Sequence, residues 1–211
     1  MKNHSFFGII ILMGDNNMTL NDLTEILRTD MPSVEIRKNE KEIFKFIPEL
    51  EKCKGFNQNN EWHPYDVYEH TLHVVDNVEN DDILRMSALF HDIGKPETYT
   101  EDEFGVGHFY GHWKESKRIF LDFAYNNEMD FKKKKTISKL IYYHDKNFGK
   151  LDDDSLHVIM YIFDKKELEL LYKLKKADLL AQNKKYHFLL DEYDKQSKVY
   201  KLLYDGMDKN E

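Results

Sequence analysis

The length and charge of the chain already limit what it can be. It has 211 residues, of which 41% are hydrophobic, enough for one domain with a sizeable core, or one domain with a small appendage. With only 9 glycines and 4 prolines it is poor in turn formers, so long helices are favoured over an all-β fold. A net charge of −8 argues against a protein that mainly grips nucleic-acid backbones, but not against local action on a nucleotide or an RNA end.

The cysteine content and the N-terminal residues bear on localisation. Cys53 is the only cysteine, so no disulfide can form within the chain and a reducing compartment is expected. The apolar run FFGIIILM at 6–13 is much shorter than the roughly 20 residues of a membrane helix, and no signal-cleavage pattern follows it. We interpret it as a buried strand or helix end, or as a start codon placed too early, and expect a cytoplasmic protein without membrane contact.

The first 60 residues are weakly patterned and predict two helices. Thr19 or Asn21 can cap the first, and the second runs from about Glu40 to Leu50, where Pro48 is expected to kink it. We divide the chain into a partly helical lead-in, residues 1–40, and a main domain, residues 41–211, that ends in a helix.

Helical spacing of apolar residues becomes clear from Pro64 onwards. A helix from Pro64 to Val78 is followed by one that Asp81 or Asp82 caps and that Gly94 and Pro96 stop. A small β-hairpin or ordered loop is predicted near residues 98–110. Five further helical stretches make the fold all-α: 113–125, 131–144, 152–163, 165–183 and 186–203.

Polar side chains that can bind metals interrupt several of these apolar helices. A His-Asp pair alone carries little information, because a chain with 10 His supplies about one by chance, and this chain has His91-Asp92 and also His144-Asp145. His70 and Asp178 lie in two other helices. Imidazole and carboxylate together suit Mn, Fe, Co, Ni or Zn, and helical bundles often build metal sites from facing helices.

Each of these residues also has an ordinary structural interpretation. A lone histidine is more often a core or surface residue, and we interpret the histidines 4, 73, 157 and 187 in that way. His63 and His108 could line the mouth of a site. The basic run Lys132–Lys135 is more simply a solvated helix start than an RNA-contacting patch.

Five segments in order resemble a known family. They are HPYDVYEHTL (63–72), LRMSALFHDIGKP (84–96), GHFYGHWKES (107–116), IYYHD (141–145) and KKADLLAQN (175–183). Together they resemble the HD-domain hydrolase superfamily, and most of all the HD domain of bacterial CCA-adding enzymes, the tRNA nucleotidyltransferases. The resemblance covers roughly residues 45–190.

The resemblance implies an HD-domain helical bundle with a divalent-metal site holding one or two ions, Mg included among the candidates. His70, His91, Asp92 and Asp178 match the core ligands, and two more histidines match those of members with two metals: His112 and His144. Asp92 would contact the metals and orient the attacking water, and Lys95 would lie near the substrate phosphate, for which its ammonium is a suitable partner. Lys95, His63 and His108 are the expected substrate contacts.

The expected activity is hydrolysis of a phosphate monoester or cyclic phosphodiester by a metal-activated water. The partner would be a small phosphorylated substrate, a nucleotide or an RNA end. The alternative is a non-catalytic or RNA-processing accessory module that binds nucleotide or tRNA. Residues 1–60 show nothing like the polymerase head of the CCA-adding enzymes, so nucleotide addition is not predicted, and the sequence does not fix the oligomeric state.

Overall fold

Helices dominate the structure, a computed structural model that describes residues 17–148 and 153–207. In chain order they are α1 (Leu20–Leu27), α2 (Pro32–Lys38), α3 (Glu40–Phe46), α4 (Pro48–Cys53), α5 (Val67–Asn77), α6 (Asp82–Phe90), α7 (Lys95–Thr98), α8 (His112–Asn126), α9 (Phe131–Tyr143), α10 (Asp153–Ile162), α11 (Lys165–Ala181) and α12 (Leu189–Met207). A short 3-10 helix spans Lys184–Tyr186, and the strands β1 (Thr100–Glu101) and β2 (Gly107–His108) form a hairpin. The expected all-α fold with a small hairpin is confirmed, whereas the apolar run at 6–13 lies outside the described residues.

In the described part of the N-terminal region, from residue 17 onwards, there are four helices where the sequence predicted two. Thr19 caps α1 as expected, and it forms a capping box with Asp22. The helix α2 was not predicted. Pro32 is its first residue, and proline is tolerated there because the backbone N–H of that position has no partner within a helix. The predicted second helix is divided at Ile47, because Pro48 starts a new helix rather than kinking the old one.

Four central helices form the frame of the domain. α11 packs against α5, α6 and α9, and α6 packs against α5 and α9. The predicted start of α5 at Pro64 is wrong by three residues, because the Asp66 side chain accepts the Glu69 N–H and sets the first turn at Val67. Asp81 caps α6 through the N–H groups of Ile83 and Leu84. These caps fix where each helix begins, and so which residues face the centre of the bundle.

A tight turn leads from α6 to α8. The helix α6 ends at Phe90, whose ring is fully buried, and residues 91–94 turn before α7 begins. Pro96 lies in the first turn of α7, so it starts a helix there instead of only stopping the previous one. The Gly94 N–H donates to Ser116 Oγ at 2.9 Å, which anchors the turn to α8. This turn therefore sets the distance between the C-terminal end of α6 and the N-terminal part of α8.

The hairpin and the C-terminal helices surround the central frame. β1 and β2 are antiparallel, with Thr100 opposite His108 and Glu101 opposite Gly107. The helix α8 packs along α9, and α12 packs along α11. The lead-in helices α1 and α2 pack on α6 and α5. None of the helices in the described part of the chain combines the length and the apolar character that a membrane crossing requires.

Candidate metal centre

Six side chains able to bind a metal converge at the centre of the bundle. They come from α5, the end of α6, the first residue of α8, the end of α9 and the body of α11, in this order: His70, His91 with Asp92, His112, His144 and Asp178. Five of them are buried, and the side chain of Asp178 is 14% exposed. Their ligand atoms form three overlapping triplets, each within 4.8 Å. The structure therefore brings together all six residues that the resemblance selected.

One oxygen of Asp92 faces the first group of ligands. His70 Nε2 lies 3.4 Å from Asp92 Oδ2 and 3.0 Å from Asp178 Oδ1. His91 Nε2 lies 3.2 Å from the same Asp92 oxygen and 3.4 Å from His70 Nε2. Two imidazoles and two carboxylates thus surround one point.

The other oxygen of Asp92 faces a second group. His112 Nε2 and His144 Nε2 lie 3.3 and 3.4 Å from Asp92 Oδ1, and 3.2 Å from each other. The Asp92 carboxylate therefore stands between two sets of nitrogen ligands, one at each oxygen.

Backbone carbonyls orient three of the four imidazoles in the same way. The Nδ1 atoms of His91, His112 and His144 lie 2.7, 2.9 and 2.7 Å from the carbonyl oxygen three residues earlier. A carbonyl only accepts, so each Nδ1 carries the proton and each Nε2 presents a lone pair. Because all three residues lie at helix ends, where the chain turns, the rings can point back at a carbonyl and inward at the same time.

These donors fit a divalent cation. Asp92 Oδ1 is buried and has no hydrogen-bond partner among the described residues, although two imidazole nitrogens lie close to it. Lone pairs that face each other in a buried place repel unless a cation lies between them. Mixed nitrogen and carboxylate ligands suit Mn, Fe, Co, Ni and Zn. On this ground the residues present fit one cation at each oxygen of Asp92.

The charges of the centre keep its carboxylates ionised. Burial acts to raise the pKa of Asp92, yet the neighbouring His91 imidazole and Lys95 ammonium outweigh it and hold that pKa well below its usual range. Burial likewise opposes ionisation of Asp178, but the hydrogen bond from His70 lowers its pKa overall. Burial lowers the pKa of His112 to about 4, which keeps this ring neutral and able to act as a ligand.

A buried lysine lies directly beside the centre. Lys95 Nζ is 2.6 Å from Asp92 Oδ2 and donates to Gln58 Oε1 at 2.8 Å. His63 Nε2 lies 3.5 Å from the same ammonium, and burial, with the charge of Lys95, lowers the pKa of His63 well below its usual range. A neutral His63 adds no charge next to Lys95, so the ammonium is the local positive group of the site.

Comparison with known proteins agrees with this arrangement. The profile of the HD domain matches residues 62–193, well over half of the chain. The chain belongs to the HD domain family. HD proteins are generally metal-dependent phosphohydrolases, and the ligand groups around Asp92 could hold the metals of this HD domain.

One curated relative matches part of the chain. It is the A-adding tRNA nucleotidyltransferase of Deinococcus radiodurans, which is 35% identical over 72 residues. The match covers 31% of this chain and only 16% of the relative's length. The match therefore leaves most of the relative without a counterpart in this chain.

The HD centre opens into a cavity, here called the front cavity, of about 310 Å³. Asp92, Lys95 and His112 lie along it, together with both residues that the sequence placed at the mouth of the site, His63 and His108. His63 is half-buried, with its Nε2 atom 3.5 Å from Lys95 Nζ. His108 is half-buried on the hairpin, where its ring stacks on Tyr110 and Nε2 lies 3.0 Å from Asp102 Oδ2. His73 packs against the Tyr65 ring, outside the described ligand groups.

Several residues of the site were missed by the sequence reasoning. Gln58 comes from an irregular loop and carries no pattern that would predict its contact with Lys95. Gln182 was detectable, because it lies one helical turn after Asp178 and donates to Asp178 Oδ1 at 3.2 Å. Asp145, the second half of the other His-Asp pair, is exposed and lines the front cavity without joining the ligand groups.

Proposed function

We propose that this HD domain is a metal-dependent phosphohydrolase that cleaves a phosphate monoester or cyclic phosphodiester of a nucleotide or an RNA end. The observation that carries the proposal is the position of Asp92, whose two oxygens face two separate groups of ligands at the floor of an open cavity. Two carboxylate oxygens placed in this way could each bind one divalent cation. In two-metal sites, such a pair of cations binds one phosphoryl group.

We assign the ligand residues to two metal positions. His70, His91 and Asp178 would hold one cation with Asp92, and His112 and His144 would hold the other with the same carboxylate. Divalent ions bound there would activate a water and stabilise charge on the phosphoryl oxygens, as such ions do in other two-metal sites.

The protein's own groups then bind and orient the substrate. Asp92 stays ionised, so its oxygens accept hydrogen bonds and can orient a water that enters the front cavity. The Lys95 ammonium lies beside that carboxylate and can attract a phosphate oxygen as a point charge. Gln58 accepts a hydrogen bond from Lys95 and so helps to hold it in place, while His108 on the hairpin can contact the part of the substrate that points towards solvent.

The test combines metal analysis of the purified protein with a hydrolysis screen of nucleoside monophosphates, cyclic nucleotides and RNA ends that carry phosphate. We expect bound divalent metal, activity that chelation abolishes, and a loss of at least about a hundredfold in kcat for Asp92→Ala. Asp122→Asn, an exposed substitution on α8, is the matched control and should behave as the wild type. Wild-type protein without metal, or an Asp92→Ala variant of unchanged activity, would disprove the proposal.

The tRNA nucleotidyltransferase relative supports a second candidate, a module that binds tRNA or nucleotide without turnover. The net charge of −8 weighs against tight binding to an RNA backbone. Affinity for tRNA that falls steeply with salt, in a protein that hydrolyses none of the screened esters, would favour this alternative.

A further inference from the structure

A buried lysine of α11 reaches the turn that follows α9. Lys175 is 4% exposed, and its ammonium donates to the carbonyl oxygens of His144 and Lys146 at 2.6 and 2.9 Å. The ring centroids of Phe148 and Tyr193 lie 5.8 and 5.5 Å from the same nitrogen, within the range of cation–π attraction. A buried charge is costly unless hydrogen bonds replace its water, so the position of this ammonium is tied to that turn.

The helix α9 ends without a glycine. The last carbonyl groups of a helix have no partner within it, and a glycine just after the helix often lets the following N–H groups satisfy them. In this chain Asp145 and Lys146 follow His144 instead. The Lys175 ammonium binds the His144 carbonyl from another helix, and it brings a positive charge to the negative end of the helix dipole.

His144 is the metal ligand that this contact holds. Its Nδ1 lies 2.7 Å from the Ile141 carbonyl oxygen in its own helix, while its own carbonyl oxygen accepts from α11. Its Nε2 lies 3.4 Å from Asp92 Oδ1 and 3.2 Å from His112 Nε2. The ring of His144 is thus fixed from α9 and its backbone from α11, so loss of the second contact would let the residue move away from Asp92.

The same helix carries a ligand of the first group. Asp178 lies three residues after Lys175 on α11, close to one helical turn, and its Oδ1 is 3.0 Å from His70 Nε2. The helix α11 therefore supplies Asp178 from its own backbone and holds His144 by a hydrogen bond. Through this one helix the two groups of ligands are placed relative to each other.

We propose that Lys175 is a positioning residue for the second metal position, the one at His112 and His144. It sets where His144 stands, and so the affinity of that position for a divalent cation. This inference rests on the two metal positions of the proposed function, and it adds a determinant of one of them that contacts neither metal nor substrate. The first position takes its imidazoles from α5 and the end of α6, which depend on other contacts.

The experiment removes the ammonium and measures metal affinity at each position separately. Lys175→Met keeps a straight side chain but has no donor. Lys176→Met is the matched control, because the neighbouring Lys176 pairs with Asp194 at the surface. Titration with Mn²⁺ by calorimetry in a His112→Ala background reports on the first position, and titration in a His70→Ala background reports on the second.

The expected result is a loss at one position alone. Loss of a group that orients a ligand costs about 10–100-fold in metal affinity, so Lys175→Met should weaken Mn²⁺ binding by at least about tenfold at the second position and by less than about twofold at the first. Wild-type protein with two equivalents of Mn²⁺ should show the electron paramagnetic resonance signal of a coupled ion pair, and Lys175→Met should lose it at the same Mn²⁺ concentration. Lys176→Met should match the wild type in both measurements.

The opposite results are equally specific. Equal weakening at both positions, which a contribution to stability alone would give, or unchanged affinity at both, would overturn the inference while leaving the phosphohydrolase proposal intact. Should Lys175→Met fail to fold, Lys175→Gln takes its place; its amide keeps a donor on a shorter side chain, so a loss of at least about threefold is expected at the second position alone.

Metal titration also separates this inference from the proposed activity. The affinities are measured without turnover, so a protein that hydrolyses none of the screened esters still tests the role of Lys175. A wild-type protein that binds a single Mn²⁺ ion would contradict the second metal position and this inference together.

Discussion

The contact between Gly94 and α8 offers a direct test of how the fold positions the second ligand group. Gly94 has an ordinary backbone conformation, with φ −84°, so an alanine there would not strain the chain itself. Its Cβ, however, would lie 2.5 Å from the Ser116 backbone nitrogen and 2.9 Å from the His112 carbonyl oxygen. These are backbone atoms of α8 and cannot rotate away.

The size of the effect follows from that geometry. To restore an ordinary contact of 3.4 Å, α8 must retreat from the turn by about 0.9 Å. His112 is the first residue of α8, and its Nε2 lies only 3.3 Å from Asp92 Oδ1, so the retreat opens the second ligand group. Overpacking of this kind costs about 1–3 kcal/mol in stability. We therefore expect Gly94→Ala to weaken the metal held by His112 and His144 much more than the metal held by His70 and Asp178.

Urea unfolding and metal titration measure the two parts of this prediction. Gly206→Ala serves as the control, because an added Cβ there meets nothing within 4 Å. Should Gly94→Ala unfold at the wild-type urea concentration and keep both metals with unchanged affinity, close packing of Gly94 would not be what positions His112.

Two further predictions concern the ligand groups and the surface. His112→Ala should lower the metal content, measured by elemental analysis, from two ions per chain to one. His73→Ala is the control, because His73 lies outside the described ligand groups, and it should leave the metal content unchanged. An equal metal content in both variants would contradict a second metal position at His112 and His144. Asp82 accepts two hydrogen bonds from Arg28 and one from Lys133, and the Arg28 bond above all lowers its pKa to about 2, below the unfolded value. The contribution of ionised Asp82 to the free energy of unfolding is therefore complete above about pH 4 and is lost as the pH falls towards 2. In urea titrations, Asp82→Asn should lower the free energy of unfolding by about 1 kcal/mol at pH 7 and by progressively less below pH 4. A difference between variant and wild type that does not change with pH would refute this account.

The sequence predicted the parts of the site that follow helical periodicity. His70 and Asp178 were recognisable as polar residues within apolar helices, and His91 and His144 as residues at the ends of two others. Their convergence could not be derived from spacing, because it depends on how α5, α6, α9 and α11 pack, and the family resemblance supplied it. The assignment of a domain boundary near residue 40 stays a prediction.

The remaining errors come from short-range chemistry that competes with periodicity. Pro48 was expected to kink a helix and Pro96 to stop one, whereas each lies in the first turn of a new helix, where proline is tolerated. A second cavity, of about 410 Å³, was not foreseen, because its walls come from α11, α12 and the residues after α9. Their apolar residues look like ordinary core positions in the sequence.

The long sequence separation between the ligand residues affects how metal binding is coupled to folding. His70 and Asp178 are separated by about 110 residues, and their side chains approach to 3.0 Å. A cation that joins them closes a loop of that length and acts as a reversible cross-link, so part of its binding free energy becomes folding free energy. The metal centre would therefore cross-link the two halves of the domain. The melting temperature should rise with the concentration of free metal, even in a variant that has no activity.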